Sequence, residues 1–175
     1  MPDDNSYAGK EIYYASSLDG WVNHIVTAGQ TKLCYNPSIA VDNGGDIYIT
    51  YTRTNDREPY GKQLYFTKKS TNWSERRISF TGYNHIASSD MDIDNNGIVH
   101  AVFSNSAVED DPSHNSHIWY ANSANSWINV QVDSNSTLNS WDDRKAPSIE
   151  VDSKNTVHVV WQDHRNTALP GDPAY

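Results

Sequence analysis

The stretch PSIAVDNGGDIYITY, Pro37 to Tyr51, decides the fold. Ile39 and Val41 alternate with Ser38 and Ala40, Asp42-Asn43-Gly44-Gly45 interrupts the chain, and Ile47, Ile49 and Tyr51 resume the alternation. Period-2 apolar residues on both sides of an Asp/Asn/Gly cluster predict a β-hairpin. The block returns as SDMDIDNNGIVHAVF from Ser89 and as PSIEVDSKNTVHVVW from Pro147. A second block also occurs three times: IYYASSLDGWVNHIV from Ile12, LYFTKKSTNWSERRI from Leu64 and IWYANSANSWINVQV from Ile118. It predicts a further hairpin whose turn ends on Trp21, Trp73 or Trp127. Successive copies lie 52 to 58 residues apart. A period in the fifties, made of short strands and tight turns, predicts β-propeller blades rather than one sandwich.

With the first block as strands A and B and the second as C and D, the chain reads CD-ABCD-ABCD-AB. This predicts an all-β protein of four-stranded antiparallel blades, three blade-equivalents in a single array over residues 1–175. The half blades fall at about 10–28 and 146–163, and the blades at about 36–80 and 88–133. Propellers close with four or more blades, and an open arc leaves sheet edges exposed. Two readings fit: a fragment of a longer propeller, or a half that pairs with itself. In the second, the B strand near Val157–Trp161 meets the C strand near Ile12–Ala15 of another copy. A six-bladed homodimeric ring results. Two-fold closure is the commonest oligomer symmetry and removes every edge, so it is the preferred reading.

The turns at Asp42, Asp94 and Asp152 are rich in oxygen. An Asp opening a turn normally caps its own backbone, and too few carboxylates are present for a calcium loop. The expectation is a structural turn and no bound metal. Ser17-Leu18-Asp19-Gly20-Trp21 resembles the Asp-box, Ser-x-Asp-x-Gly-x-x-Trp, of the sialidase-like (bacterial neuraminidase repeat) propellers. The match is degenerate, and the later copies, Ser70-Thr71-Asn72-Trp73 and Ser123-Ala124-Asn125-Ser126-Trp127, lack the Asp and Gly. In that family the Asp-box lies away from the catalytic face, so the resemblance implies packing roles for the three tryptophans. It also implies a six-bladed ring and a secreted or cell-surface protein. The Met-Pro-Asp-Asp-Asn-Ser start has no signal-peptide pattern.

Composition narrows the partners. The chain carries 13 basic and 22 acidic side chains, net −9, which argues against nucleic acid and anionic membrane surfaces. No apolar run is long enough to span a membrane as a helix. Cys34, the single cysteine, excludes an intrachain disulfide framework; just before a strand A it reads as a buried thiol, since a nucleophile needs a neighbouring base. Asn72-Trp73-Ser74 and Asn135-Ser136-Thr137 match the glycosylation sequon, a pattern frequent by chance.

Functional residues are expected on loops, because the repeats serve the framework. In propellers of this kind the D-to-A and B-to-C loops share one face. The D-to-A loops hold Tyr35 and Asn36, Tyr83-Asn84-His85, and Trp141-Asp142-Asp143-Arg144. The B-to-C loops hold Arg53 through Arg57, Glu109-Asp110-Asp111 with His114 and His117, and Asp163-His164-Arg165. Aromatic rings beside amides, carboxylates and guanidiniums suit glycans, with rings stacking on sugar faces and planar polar groups taking paired hydroxyls. Ordinary solvated loops have the same composition. Candidate ligand residues are Tyr35, Asn36, Arg53, Arg57, Tyr83, His85, Trp141, Asp142, Arg144, Asp163, His164 and Arg165.

Enzymatic readings are weaker. The Phe/Tyr-Arg-Ile-Pro motif of sialidases is absent, and glycosidase chemistry needs two carboxylates at a defined separation, which sequence does not locate among Asp56, Asp142 and Asp163. A lyase could use His85 with Tyr83, or His164 with Arg165. His114 and His117 fall short of a metal-ligand count. His100 and His158 occupy the position of Tyr48 in the repeat, which points to structural use. The expected function is non-catalytic, lectin-like glycan recognition without a cofactor. A glycoside hydrolase or polysaccharide lyase is the alternative, and a structural or protein-binding propeller the third reading.

Overall fold

The computed structural model describes residues 10–29, 32–54, 61–79, 85–106, 117–133 and 146–162. Among these residues twelve strands alternate with turns: β1 (Tyr13–Tyr14), β2 (His24–Ile25), β3 (Cys34–Val41), β4 (Ile47–Thr54), β5 (Lys62–Lys68), β6 (Arg76–Arg77), β7 (His85–Ile93), β8 (Val99–Ser106), β9 (Ile118–Asn122), β10 (Val130–Gln131), β11 (Ser148–Val151) and β12 (Val157–Val160). They form two complete four-stranded antiparallel sheets, β3-β4-β5-β6 and β7-β8-β9-β10, and two hairpins, β1-β2 and β11-β12. The innermost strands β3, β7 and β11 stand side by side. The molecule is an all-β propeller arc.

Local chemistry shapes each hairpin identically. Oδ1 of Asp42 accepts the amides of Gly44 and Asp46, Asp94 those of Asn96 and Ile98, and Asp152 those of Lys154 and Thr156. The carboxylates therefore satisfy the turn backbone, as the structural reading requires. Asp42 reaches Tyr48 Oη with its second oxygen at 2.9 Å, and the equivalent oxygens of Asp94 and Asp152 lie 3.7 and 3.4 Å from His100 and His158. The C–D hairpins repeat a second device. The amides of Ile12, Leu64 and Ile118 donate to Thr27 Oγ1, Ser79 Oγ and Asp133 Oδ1 at 3.0–3.1 Å.

The core lies between blades, and strand alternation builds it. Along β4, Ile47, Ile49 and Tyr51 join Ile12, Val26, Cys34 and Tyr65 against the first half blade. Tyr48 points the other way, into a cluster with Leu64, Val99, Ala101, Phe103 and Trp127 of the two complete blades. A third cluster sets Val102, Ile118 and Tyr120 against Ile149, Val157, Val159 and Trp161. Each central strand is buried on both faces, so its polar–apolar alternation fades. Fully burying one such aliphatic or aromatic side chain is worth about 1.5–3 kcal/mol.

The three tryptophans occupy one geometry and meet different fates. Trp21, Trp73 and Trp127 hold φ of 67°, 59° and 67°, a left-handed conformation uncommon for a bulky residue. Each amide closes a turn onto the carbonyl five residues back, Ser16, Lys68 or Asn122. Gly20, Asn72 and Ser126, just before them, also have positive φ, which glycine and asparagine adopt at least cost. The ring of Trp127 packs on Phe66 of the preceding blade at 5.0 Å, and Trp73 on Tyr14 at 6.0 Å. Trp21 is 68% exposed.

Candidate functional site

β3 and β7 each carry one extra residue near their starts, between Tyr35 and Ser38 and between Ile86 and Ser88. The bulge turns Asn36 into a left-handed φ of 50° and sends its side-chain amide to the Ala87 carbonyl of the next blade at 2.8 Å. Asn36 thereby ties two blades together. Tyr35, its neighbour, has two ammonium groups near its ring: Lys62 Nζ is 4.3 Å and Lys10 Nζ 4.8 Å from the centroid. Both distances fit cation–π attraction. Burial, and then the positive charge of Lys10, push the Lys62 pKa down. An anionic group set between the two ammoniums would relieve that repulsion.

Arg53 faces elsewhere. It pairs across β3 with Cys34, on the side of the strand opposite Tyr35's neighbour Thr52. Its guanidinium lies 3.9 Å over the Tyr65 ring and contacts Glu75, which also accepts Tyr51 Oη at 2.5 Å. Burial works against the guanidinium's charge, but Glu75 and Tyr65 outweigh it and raise the pKa. Burial and then Glu75 push the Tyr51 hydroxyl far up, and burial raises the Cys34 thiol. This network is internal to the blade, with Arg53 engaged by protein groups, and Cys34 is a buried thiol.

His85 opens β7, half-buried, opposite Ser106. His117 has its Nδ1 3.4 Å from Asp133 and 2.9 Å from the Gln131 amide, with its ring edge-on to Trp119. Among the described residues no group of three or more His, Cys, Asp or Glu converges for a metal. Arg57, Tyr83, Trp141, Asp142, Arg144, Asp163, His164 and Arg165 lie outside the described residues, as do Asp56, Asp110, Asp111 and His114.

Of the four described candidates, Tyr35 has two ammonium groups at its ring, Asn36 hydrogen-bonds the next blade, and Arg53 pairs with Glu75. Two residues escaped the sequence reading, Lys10 and Lys62. The repeat held their signal, since each stands two residues ahead of its C–D block. Asp90 was missed as well. It occupies the repeat position of Ser38 and Ser148 and accepts both hydroxyls, at 2.7 and 2.8 Å, with the Met91 and Ile149 amides. Burial opposes its ionisation, yet these hydrogen bonds prevail and lower its pKa. On the opposite face a cleft of about 420 Å³ opens beside Tyr48, Phe66, Lys68, Arg76 and Trp127. Its aromatic rings are committed to packing between blades.

No family model matches the chain, and no curated protein matches it. Among solved structures, an endo-arabinase from Bacteroides thetaiotaomicron is similar in fold, with a TM-score of 0.52 at 14% identity. The likeness covers 83% of this chain and 56% of the other, so the chain spans little more than half of that protein's length. Among the described residues no helix is long and apolar enough to cross a membrane.

Proposed function

We propose that this propeller recognises carbohydrate, without turning it over, through the loop face around Tyr35. The carrying observation is the cradle of one aromatic ring and two ammoniums, Lys10 and Lys62. An aromatic edge gives a sugar an apolar contact, and ammoniums donate to its hydroxyl or carboxylate oxygens. The two like charges favour a saccharide bearing an acid group. A fold neighbour named as an endo-arabinase supports a carbohydrate role in general. The Asp-box resemblance adds an extracellular setting, secreted or at the cell surface. Arg57, Tyr83, Trp141, Asp142, Arg144, Asp163, His164 and Arg165 are proposed to complete the face, with His85 at its rim.

A glycoside hydrolase or lyase is the second reading, favoured by the neighbour's name. Against it, Glu75, the carboxylate beside Arg53, is held by Arg53 and Tyr51. Titration calorimetry with acidic and neutral oligosaccharides tests the proposal. The expected result is saturable binding, stronger for the acidic set, weakened about tenfold in Tyr35→Ala, a loss near 1.4 kcal/mol. It should also weaken with salt in the unaltered chain. Release of reducing or unsaturated ends would replace binding with catalysis, and neither binding nor release would sink both readings.

A further inference from the structure

The seam between the two complete blades holds two cations that the framework does not require. Lys68 stands where the other copies of the second block have Ser16 and Asn122. Those two cap their own turns: Ser16 Oγ accepts the Leu18 amide at 3.1 Å, and Asn122 Oδ1 the Asn125 amide at 3.0 Å. Lys68 makes no such bond. Serine and asparagine are the residues suited to this position, so the lysine gives up a stabilising cap. Arg76 departs from the repeat as well. Its counterparts are His24, which Asp19 holds at 2.7 Å, and Val130. A departure that weakens the local framework marks a position where function is expected.

The two side chains line one cleft. It has a volume of about 420 Å³ and lies between Lys68, Thr71, Ser74 and Arg76 of one blade and Val99 and Ser123 of the next. Lys68 Nζ is 5.9 Å from the centre of the Tyr48 ring, and Arg76 Nη2 donates to the Ser126 carbonyl across the seam at 3.4 Å. Among the described residues neither cation is paired with a carboxylate, in a chain with 22 acidic side chains. Glu75, next to Arg76, is turned toward Arg53 and Tyr51. Hydroxyls complete the rim. Ser123 Oγ accepts the Val99 amide at 3.0 Å and keeps a proton to donate, and Thr71 Oγ1 donates to the Lys68 carbonyl and keeps lone pairs. The packed rings of Phe66 and Trp127 form the wall behind.

We propose that this cleft binds an anionic sugar unit, one ring bearing a carboxylate or a phosphate among its hydroxyls. Arg76 and Lys68 take the acid group through charge-assisted hydrogen bonds, about twice as strong as neutral ones. Thr71, Ser74 and Ser123 exchange hydrogen bonds with the ring hydroxyls. The volume falls within the range of ligand pockets, about 300–1,000 Å³, and exceeds what a bare phosphate fills. β4 and β5 run from Tyr48 and Lys68 at this end to Thr54 and Lys62 at the Tyr35 end, so the cleft and the cradle are separate sites. The inference does not depend on what the cradle binds.

Amide chemical shifts of the full chain, titrated with glucuronate, glucose 6-phosphate, glucose and inorganic phosphate, test it residue by residue. Binding in the cleft moves the amides of Gly97 and Ser123, whereas binding at the cradle moves those of Tyr35 and Lys62. The expected result is a saturable shift at Gly97 and Ser123 with glucuronate or glucose 6-phosphate, whichever acid group fits, and a much weaker response to glucose and to phosphate. Lys68→Gln and Arg76→Gln should each weaken it about tenfold, the loss of a hydrogen bond to a charged group. Lys69→Gln, whose ammonium lies over Tyr14 at 5.2 Å, should leave it unchanged. No saturable shift at Gly97 and Ser123 in the unaltered chain overturns the proposal, whatever the cradle does. So does an equal response to inorganic phosphate, which would make the cleft an ion site only. Tighter binding of a tetraglutamate peptide would reassign it to acidic peptides, and full binding in the Lys68→Gln, Arg76→Gln double variant would remove the cations from it.

Discussion

β8 and β12 carry matching residues in matching order, and one of them is far better buried. Val99-His100-Ala101-Val102-Phe103 corresponds to Val157-His158-Val159-Val160-Trp161 in the repeat. β8 lies between β7 and β9 with a blade on each face, and Val99, Ala101, Val102 and Phe103 are inaccessible to solvent. β12 has β11 on one side and a neighbouring blade on one face, so Val157 and Val159 are half-covered and Val160 faces water. The histidines part in the same manner. His100 is buried, 2.6 Å from Tyr120 Oη, whereas His158 is exposed beside Asp152. Burial in a repeat protein belongs to the neighbours of a residue as much as to the residue itself.

The sharpest way to break that comparison is in the core of β8. Phe103→Ala should lower unfolding free energy by about 3–5 kcal/mol in denaturant titrations, since a cavity forms with no room to collapse. Val160→Ala should change it by less than about 0.5 kcal/mol. Similar losses at the two sites would mean that the outer face of β12 is covered within the single chain.

A smaller effect is expected where the blades are clamped. Asp90→Ala strips the acceptor from Ser38, Ser148 and the Ile149 amide, and should cost about 1–3 kcal/mol in the same titration. The pH dependence has a definite sign. The folded pKa of Asp90 is lowered, so its contribution is complete above the unfolded carboxylate value of about 3.9 and disappears as pH falls through the lower folded value. Stability should therefore hold from pH 7 to about 5 and decline below about 4, with a shallower decline in Asp90→Asn. An unchanged acid limb in that variant would assign the decline to other carboxylates.

The smallest effect concerns the hairpin turns. Asp94→Ala should destabilise more than Asp152→Ala, because Asp94 is buried beside the buried His100, whereas Asp152 is only partly buried beside the exposed His158. Thermal midpoints of the two variants measure the difference, and equal shifts would show that the turn bonds, not their surroundings, set the cost.

Much of the framework was legible in the residues. Alternation in Ile47–Tyr51 and the Asp42–Gly45 interruption specify a hairpin because strand side chains alternate in period 2 and only certain residues tolerate the turn. Cys34 as a buried thiol and Tyr48, His100 and His158 as structural ring positions followed from the repeat. Less of the site was readable. Asn36 looked like a loop amide available to a ligand, and the bulge directs it to Ala87; Arg53 looked like a B-to-C loop guanidinium, yet it lies in β4 and Glu75, 22 residues away, holds it. A bulge displaces one residue without a compositional signature, and an ion pair across strands depends on register.

By itself the sequence determined what is local and repeated: strand order, turn chemistry, the position of each tryptophan, and the blade count of the array. Those features arise from interactions within a few residues, copied at a fixed period. Tertiary structure decided which copies are buried, which carboxylate bridges three blades, and that Lys10 and Lys62 meet at Tyr35. Such outcomes depend on contacts between residues 25 to 58 positions apart, which exist only once the strands of a blade have paired and successive blades have packed against one another.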